Sequence, residues 1–155
     1  MSDLPSQEAT LQDQRNRRFL LAASAAGPLR SDQVISSHAL LLEVDLRLAF
    51  CAGAWSSVIV LACVAVEAQH RQVSSNDYIS PARDLFSGRP ELQWLRSLRN
   101  ELVHAGEPGI KSRLWRVGRG DIGENQRALE GDAIRAVEAM FKEIYGCPER
   151  KRSET

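Results

Sequence analysis

Apolar side chains recur every three or four residues in several segments of the chain, which is the period of an amphipathic α-helix. Glycine or proline closely follows the last apolar position of most of these segments, and both residues commonly end helices. The spacing predicts helices over 11–24, from Ser31 or Asp32 to about Ala52, over 54–72, over 91–105, and from about Arg127 or Asp132 to Tyr145. We therefore expect an all-α fold, a bundle of four to five helices.

The segment 54–72 is apolar on nearly every side. Its valines and its isoleucine would also suit a strand. A length of about eighteen residues without a turn signal, and a polar exit that begins at Glu67, favour a helix instead. A helix without a wide polar face is normally buried, so this helix should lie at the centre of the domain.

Two stretches between the predicted helices are rich in residues that favour turns. Residues 74–90 are typical of a connecting loop, with one helical turn at 82–86. Residues 108–125 are irregular, but the alternation of RLWRV at 113–117 predicts a long loop with one short strand or β-ribbon. We expect an N-terminal helix or extension over 1–30, a helical domain over 31–146 and a flexible tail over 147–155.

The composition is that of an ordinary one-domain globular protein, since 43% of the 155 residues are hydrophobic and 26% are charged. Basic and acidic residues balance at 20 each, so no overall field attracts nucleic acid or an acidic membrane. The longest apolar run, 58–66, is about half of a membrane span, and the N-terminus lacks the pattern of a signal peptide. These features predict a cytoplasmic protein without a membrane partner.

The three cysteines do not form a recognisable site. An odd number without metal-ligand spacing indicates a reducing compartment, and Cys51 and Cys63 lie in apolar helical context that suits small core residues. Glu67 and His70 are the only fragment of a metal site, and two ligands are too few. We expect neither a metal nor a cofactor.

One residue of the fourth predicted helix breaks its amphipathic pattern. At about 100° per residue, Arg99 falls among the leucines, where a permanently charged guanidinium needs an anionic partner. Glu67 and Glu43 on neighbouring predicted helices are the natural carboxylates, and a ligand phosphate is the alternative. Asn100 and His104 share the polar face one turn apart, directly before the helix ends.

The motif Arg99-Asn100-x-x-x-His104 resembles the signature of the HEPN superfamily, small helical domains of which many are metal-independent endoribonucleases. The segment GAWSSVIVLACVAVEAQHR, which begins at Gly53, is similar to the helix that pairs with the motif helix in many members. One more helix after the motif helix is also typical of them. The resemblance covers roughly residues 31–146 and implies a HEPN-like helical domain.

The resemblance implies a role for each motif residue in RNA cleavage. Arg99 would contact the scissile phosphate and stabilise the charge that develops on its oxygens. Because an imidazole titrates near neutral pH, His104 would be the general acid or base. Asn100 would fix the tautomer of that imidazole or contact the phosphate, and Glu67 would orient Arg99. The competing interpretation is that Arg99 forms a purely structural ion pair.

The stretch around the motif is basic although the chain as a whole is neutral. Between positions 89 and 119, seven Arg or Lys residues stand against three Glu. We expect Arg96, Arg113 and Arg116 to contact RNA and Trp115 to stack on a base. The alternative is that Trp115 and Leu114 anchor this loop to the core.

RNA cleavage without metal needs a base, an acid and positive charge at the phosphate, whereas one chain offers one suitable His. A two-fold homodimer would bring two copies to a shared cleft, as in HEPN ribonucleases. The products that this resemblance implies are a 2′,3′-cyclic phosphate and a 5′-hydroxyl.

HEPN ribonucleases often act as toxins or anti-phage effectors that a regulatory partner or antitoxin protein holds inactive. HEPN toxins controlled by a nucleotidyltransferase carry Tyr two positions after the motif His, and Gly106 stands there in this chain, which puts that form of regulation in doubt. The alternative function is a catalytically silent HEPN-like module that binds a partner protein or a nucleotide.

Overall fold

The computed structural model describes residues 7–27, 34–73, 86–104 and 122–146. Within these ranges the protein consists of helices and turns, without a β-sheet, which confirms the predicted all-α bundle. The five helices are α1 (Gln7–Ser24), α2 (Ser37–Ala52), α3 (Trp55–Val73), α4 (Pro90–Val103) and α5 (Ile122–Tyr145). The strand predicted at 113–117, most of the turn predicted at 82–86 and the tail 147–155 lie outside the described residues.

Helix α3 is the centre of the bundle and packs against α2, α4 and α5. Its side chains are buried on most sides, as the continuous apolar sequence predicts, and several of them are fully enclosed. The fully enclosed residues include Val58, Ile59, Ala62, Cys63 and Val66. This burial explains why a segment rich in β-branched residues is a helix, because tertiary packing overrides their modest preference for strands.

Helix α1 packs against α2 and α5 and contributes to the same core. The Phe19 ring meets the rings of Phe50 and Phe141 edge-on, at centroid distances of 5.5 and 5.8 Å. Phe50 in turn meets Trp55 at 5.2 Å. These edge-to-face contacts connect α1, α2, α3 and α5.

Helix α2 starts later than the sequence pattern predicts, at Ser37 rather than near Ser31 or Asp32. Ser36 is the N-cap, and its side chain accepts a hydrogen bond from the backbone N–H of Ala39. The buried amide of Gln69 on α3 fixes this start, because its oxygen accepts from Ser36 N at 2.8 Å. A contact that joins residues so distant in sequence leaves no local signal.

The turn from α2 to α3 depends on Gly53, which has φ 77° and whose N–H donates to the carbonyls of Ala49 and Phe50. The Arg15 guanidinium of α1 lies against the Gly53 backbone and 5.4 Å from the centroid of the Trp55 ring. This turn aligns α2 antiparallel to α3 and connects it to α1.

The remaining helix boundaries differ from the sequence predictions mainly at the N-terminal ends. Helix α1 begins at Gln7 rather than at 11, and α5 begins at Ile122 rather than at Arg127 or Asp132. Helix α4 begins with Pro90, which needs no intrahelical donor at its first position. Among the described helices, none has the length and apolar character required to cross a membrane.

Candidate active site

Helix α4 places the motif residues at one edge of the bundle. Leu92, Leu95 and Leu98 are buried on its inner side, where α4 packs against α3 and α5. Arg99 and Asn100 are therefore half-buried beside this apolar side, on the last turn and a half of the helix. The amphipathic pattern thus determines which part of the motif can reach a ligand.

Of the anionic partners that the sequence leaves open for Arg99, the structure shows an ion pair with Glu67. Arg99 Nη2 lies 3.6 Å from Glu67 Oε1, and Arg99 Nη1 donates to Asn100 Oδ1 at 2.8 Å. The Glu67 side chain is 10% exposed, whereas 26% of the Arg99 side chain is open to solvent. A guanidinium held from below in this way keeps donors available on its exposed side. The other predicted carboxylate, Glu43, instead accepts from the Tyr145 hydroxyl.

Glu67 also contacts two other groups of its own helix. Arg71 Nη2 lies 3.9 Å from Glu67 Oε2, and the Cys63 thiol donates to Glu67 Oε1 at 3.8 Å. Burial and, to a smaller extent, the Glu67 carboxylate raise the pKa of the Cys63 thiol to about 12, although the nearby Arg99 and Arg96 act to lower it. Cys63 is therefore a neutral donor at physiological pH, which agrees with its predicted structural role.

His104 is the C-cap of α4 and is partly exposed. Its backbone N–H donates to the Asn100 carbonyl at 2.9 Å. Asn100 thus meets His104 through the backbone, while its side-chain oxygen accepts from Arg99. At about 1.5 Å per residue, His104 lies roughly 7.5 Å further along the helix axis than Arg99. The two motif residues therefore lie on the last turn and a half of α4, about 140° apart around its axis.

Positive charge gathers where α3 and α4 meet. Arg96 is half-buried, its guanidinium lies 5.6 Å from the centroid of the Phe86 ring, and it is close enough to Cys63 to act on the pKa of that thiol. Arg71 and Arg99 both approach the Glu67 carboxylate, at 3.9 and 3.6 Å. The other predicted RNA-binding residues lie outside the described residues: Arg113, Trp115 and Arg116.

Glu101 lies within the motif, directly after Asn100, and the sequence pattern assigns it no role. Its Oε2 atom is buried without a hydrogen-bond partner among the residues that the structure describes. A buried carboxylate oxygen without a donor is costly, so it usually has a functional or environmental explanation. Because Glu101 is three residues before His104, the two side chains belong to neighbouring positions on the helix surface.

A second cluster of ionisable groups joins the end of α3, the start of α4 and α5. His70 Nε2 lies 2.9 Å from Glu143 Oε1, and Arg89 pairs with the same carboxylate oxygen. Arg89 and Glu143 also line a groove between α4 and α5. Since these three residues belong to distant segments, the sequence pattern could not bring them together.

Among the described residues, no group of three or more His, Cys, Asp or Glu side chains is close enough to hold a metal ion. No family model, no curated protein and no solved structure matches this chain.

Proposed function

We propose that this protein is a metal-independent endoribonuclease of the HEPN type. The observation that supports the proposal is the arrangement of Arg99, which a buried Glu67 carboxylate holds from the inner side at 3.6 Å. Its partly exposed guanidinium shares the end of α4 with His104. A held cation and a partly exposed imidazole at the end of one helix are groups suited to cleavage of a phosphodiester.

The proposed reaction is attack of an RNA 2′-hydroxyl on the adjacent phosphorus. A base removes the 2′-hydroxyl proton as the O2′–P bond forms, and an acid protonates the 5′-oxygen as the P–O5′ bond breaks. The products are a 2′,3′-cyclic phosphate and a 5′-hydroxyl. Arg99 neutralises the charge on the non-bridging oxygens, for which its planar fork of donors is suited.

One imidazole at the motif cannot be base and acid in the same step. We therefore propose a homodimer in which each copy contributes Arg99 and His104 to a shared cleft. Arg96 and the segment with Arg113, Trp115 and Arg116 would bind the RNA on either side of the scissile phosphate. Binding of that kind relies on phosphate contacts and on stacking of bases.

The first prediction concerns the two motif residues. His104→Ala should slow cleavage of a labelled single-stranded RNA by about 10²–10⁴-fold, the usual contribution of a positioned proton-transfer group. Arg99→Ala should lose cleavage as well. His38→Ala is the matched control, because His38 is exposed on α2 and should cut like the wild type. Added EDTA should change none of these rates.

The product ends and the concentration dependence give two further readouts of the same experiment. Phosphatase should not remove the terminal phosphate of the 5′ fragment until acid opens the cyclic ester. The rate per chain should fall on dilution if two copies form the site. Wild type that cuts no RNA, or His104→Ala that cuts at the wild-type rate, would overturn the proposal.

We further propose that the enzyme acts as a toxin or anti-phage effector under the control of a partner protein. Expression in a bacterial host should then stop growth and degrade cellular RNA, and His104→Ala should relieve both effects. Equal toxicity of the two proteins would remove RNA cleavage as the cause.

The second candidate function is a silent helical module that binds a partner protein or a nucleotide. The observation in its favour is that Arg99 already has two partners, Glu67 and Asn100, and so has a structural role without any substrate. Such a module would bind a partner protein or a nucleotide and would cut no RNA. The assay with His104→Ala distinguishes the two functions directly.

A further inference from the structure

Helix α2 carries an unusual number of exposed large apolar side chains. Leu40 is 45% exposed, Leu41 67%, Val44 58% and Leu48 65%. We call these four residues the α2 apolar face. At 100° per residue they fall within an arc of about 100°, so they form one stripe and are not scattered over the helix.

The opposite side of α2 already has its partners. Ala39, Leu46 and Phe50 are buried where α2 packs against α1 and α3. The α2 apolar face is therefore a second apolar side on a helix whose core side is complete. Single exposed leucines are ordinary on protein surfaces, whereas interaction sites commonly present their apolar side chains as a contiguous patch.

We propose that the α2 apolar face is the surface on which a second copy of this chain docks. This inference rests on the proposed function, because it names the contact that the two-copy site requires. Leu41 and Leu48 are seven residues apart, which is two helical turns, and they have nearly the same exposure. A two-fold axis between Val44 and Asp45 would pack Leu41 of each copy against Leu48 of the other. The stripe is thus self-complementary in an antiparallel register.

The available area fits a small dimer interface. Burial of a leucine is worth up to about 3 kcal/mol at about 25 cal/mol per Å², which corresponds to roughly 120 Å² of apolar surface. With four side chains about 60% exposed, each copy offers on the order of 300 Å². Two copies then supply more than half of the apolar area in a standard interface of about 1,600 Å². Polar atoms at the rim and neighbouring helices can supply the rest.

Helix α3 extends this surface towards the motif. Val60 and Val64 are half-buried and share one side of α3 with Glu67 and Arg71, at spacings of four, seven and eleven residues. Because α3 packs beside α2, this side leads from the docking surface to the carboxylate that holds Arg99. A second copy on α2 can thus reach the edge of the candidate active site.

The charges around the stripe favour a protein over a lipid surface. Asp45 is exposed beside it, and Arg47 donates to Asn16 of α1. A helix that lies on an anionic membrane needs a row of free basic residues along its polar side. A second copy, which presents the same apolar stripe, needs none.

The second prediction is that Leu41→Arg makes the protein monomeric. Sedimentation at micromolar concentration should give twice the chain mass of 17.2 kDa for the wild type and a single chain mass for the variant. Leu21→Arg is the matched control, because Leu21 on α1 is 70% exposed and lies outside the stripe. Circular dichroism should show equal helix content in all three proteins, as expected for surface substitutions.

Disulfide trapping tests the register itself. In a background with Cys51→Ser and Cys147→Ser, Leu41→Cys and Leu48→Cys are purified as two separate proteins. After oxidation with diamide, the mixture of the two should form a covalent dimer. Each protein alone should not, because the antiparallel register places identical residues about 10 Å apart along the axis, too far for a disulfide.

The outcomes separate this inference from the ribonuclease proposal. A wild type that stays monomeric, a dimer that survives Leu41→Arg, or equal trapping in the single proteins and the mixture overturns the α2 contact. If RNA is still cleaved in that case, the ribonuclease proposal holds and only the α2 contact is wrong. A trapped dimer that cuts no RNA supports the contact and overturns the enzyme. Association of the wild type with vesicles of anionic lipid, lost in Leu41→Arg, would assign the stripe to a membrane instead.

Discussion

The contacts of Glu67 define a structural role for Arg99 that is separate from the chemical role we propose for it. Arg71 approaches the same carboxylate at 3.9 Å, only slightly further away than Arg99 at 3.6 Å. If Arg99 is lost, Glu67 still has the more distant and more exposed guanidinium of Arg71 and the thiol of Cys63 as partners. The cost should be lower than the 3–5 kcal/mol or so of a fully abandoned buried charge.

The third prediction follows from this arrangement. Arg99→Met should lower the free energy of unfolding by about 1–3 kcal/mol, because a mostly buried carboxylate loses its closest charged partner. Arg71→Met is the matched control and should change it by less than about 0.5 kcal/mol, since the Arg71 side chain is 74% exposed. Urea denaturation of the three proteins measures both changes. Equal changes would mean that Arg99 has no special part in holding Glu67.

The sequence alone predicted an anionic partner for Arg99, because a guanidinium among leucines requires one. It left Glu67, Glu43 and a ligand phosphate as alternatives, and the choice between the two carboxylates depends on the rotation of α3 against α4. Glu101 was overlooked because a Glu in a helix is ordinary until its oxygen is known to be buried. The pair of His70 and Glu143 likewise exists only after α3 and α5 pack together.

Among the helices, the central position of α3 was predictable because it is apolar on nearly every side. The starts of α2 and α5 were not. Ser31, Asp32 and Ser36 are all acceptable N-caps, and the hydrogen bonds of Gln69 with Ser36 N and the Val34 carbonyl favour the last of them. Local patterns identify the helices, whereas tertiary contacts decide between equivalent ends.

The fourth prediction compares two glycines in different backbone conformations. Gly53→Ala should destabilise the fold by about 1–2 kcal/mol. The φ of Gly53 is 77°, and a residue with a Cβ atom is less stable by about that amount in the left-handed region. An added Cβ would also lie 2.7 Å from the Arg15 guanidinium. Gly131→Ala in α5 should instead stabilise by about 0.5–1 kcal/mol, because nothing lies within 4 Å of the new Cβ.

Thermal unfolding of the two glycine variants against the wild type provides the measurement. Opposite shifts of the melting temperature are expected. A stabilised Gly53→Ala protein would contradict the role given to the turn between α2 and α3.

In the molecule as a whole, helix α3 lies between the α2 apolar face and the helix that carries the motif. Helix α3 contacts α2, which carries the α2 apolar face, and α4, which carries the motif. The side chains enclosed around α3 are closely packed, which leaves little room for local displacements. Docking of a second copy should therefore leave Glu67 and Arg99 in place and act by adding groups from the other chain.

The buried thiol of Cys63 can report on transient opening of the core around α3. A thiol reagent attacks the thiolate, and this side chain is fully enclosed with its pKa raised to about 12. It can react only in molecules that have transiently opened around α3, where the thiol regains a pKa of about 8.5. The same shift means that Cys63 contributes stability below about pH 8.5, which is lost as the pH rises towards 12.

The fifth prediction is a kinetic one. Cys63 should be modified about 10³–10⁸ times more slowly than an unstructured thiol, which is the range of folding equilibrium constants for small domains. The partly exposed Cys51 should react before Cys63 and serves as the internal reference. If opening around α3 requires the two copies to part, the Cys63 rate must also fall as the protein concentration rises. Equal rates for Cys51 and Cys63 would contradict a tightly packed core around α3. The rate of Cys63 modification therefore measures how often that core opens.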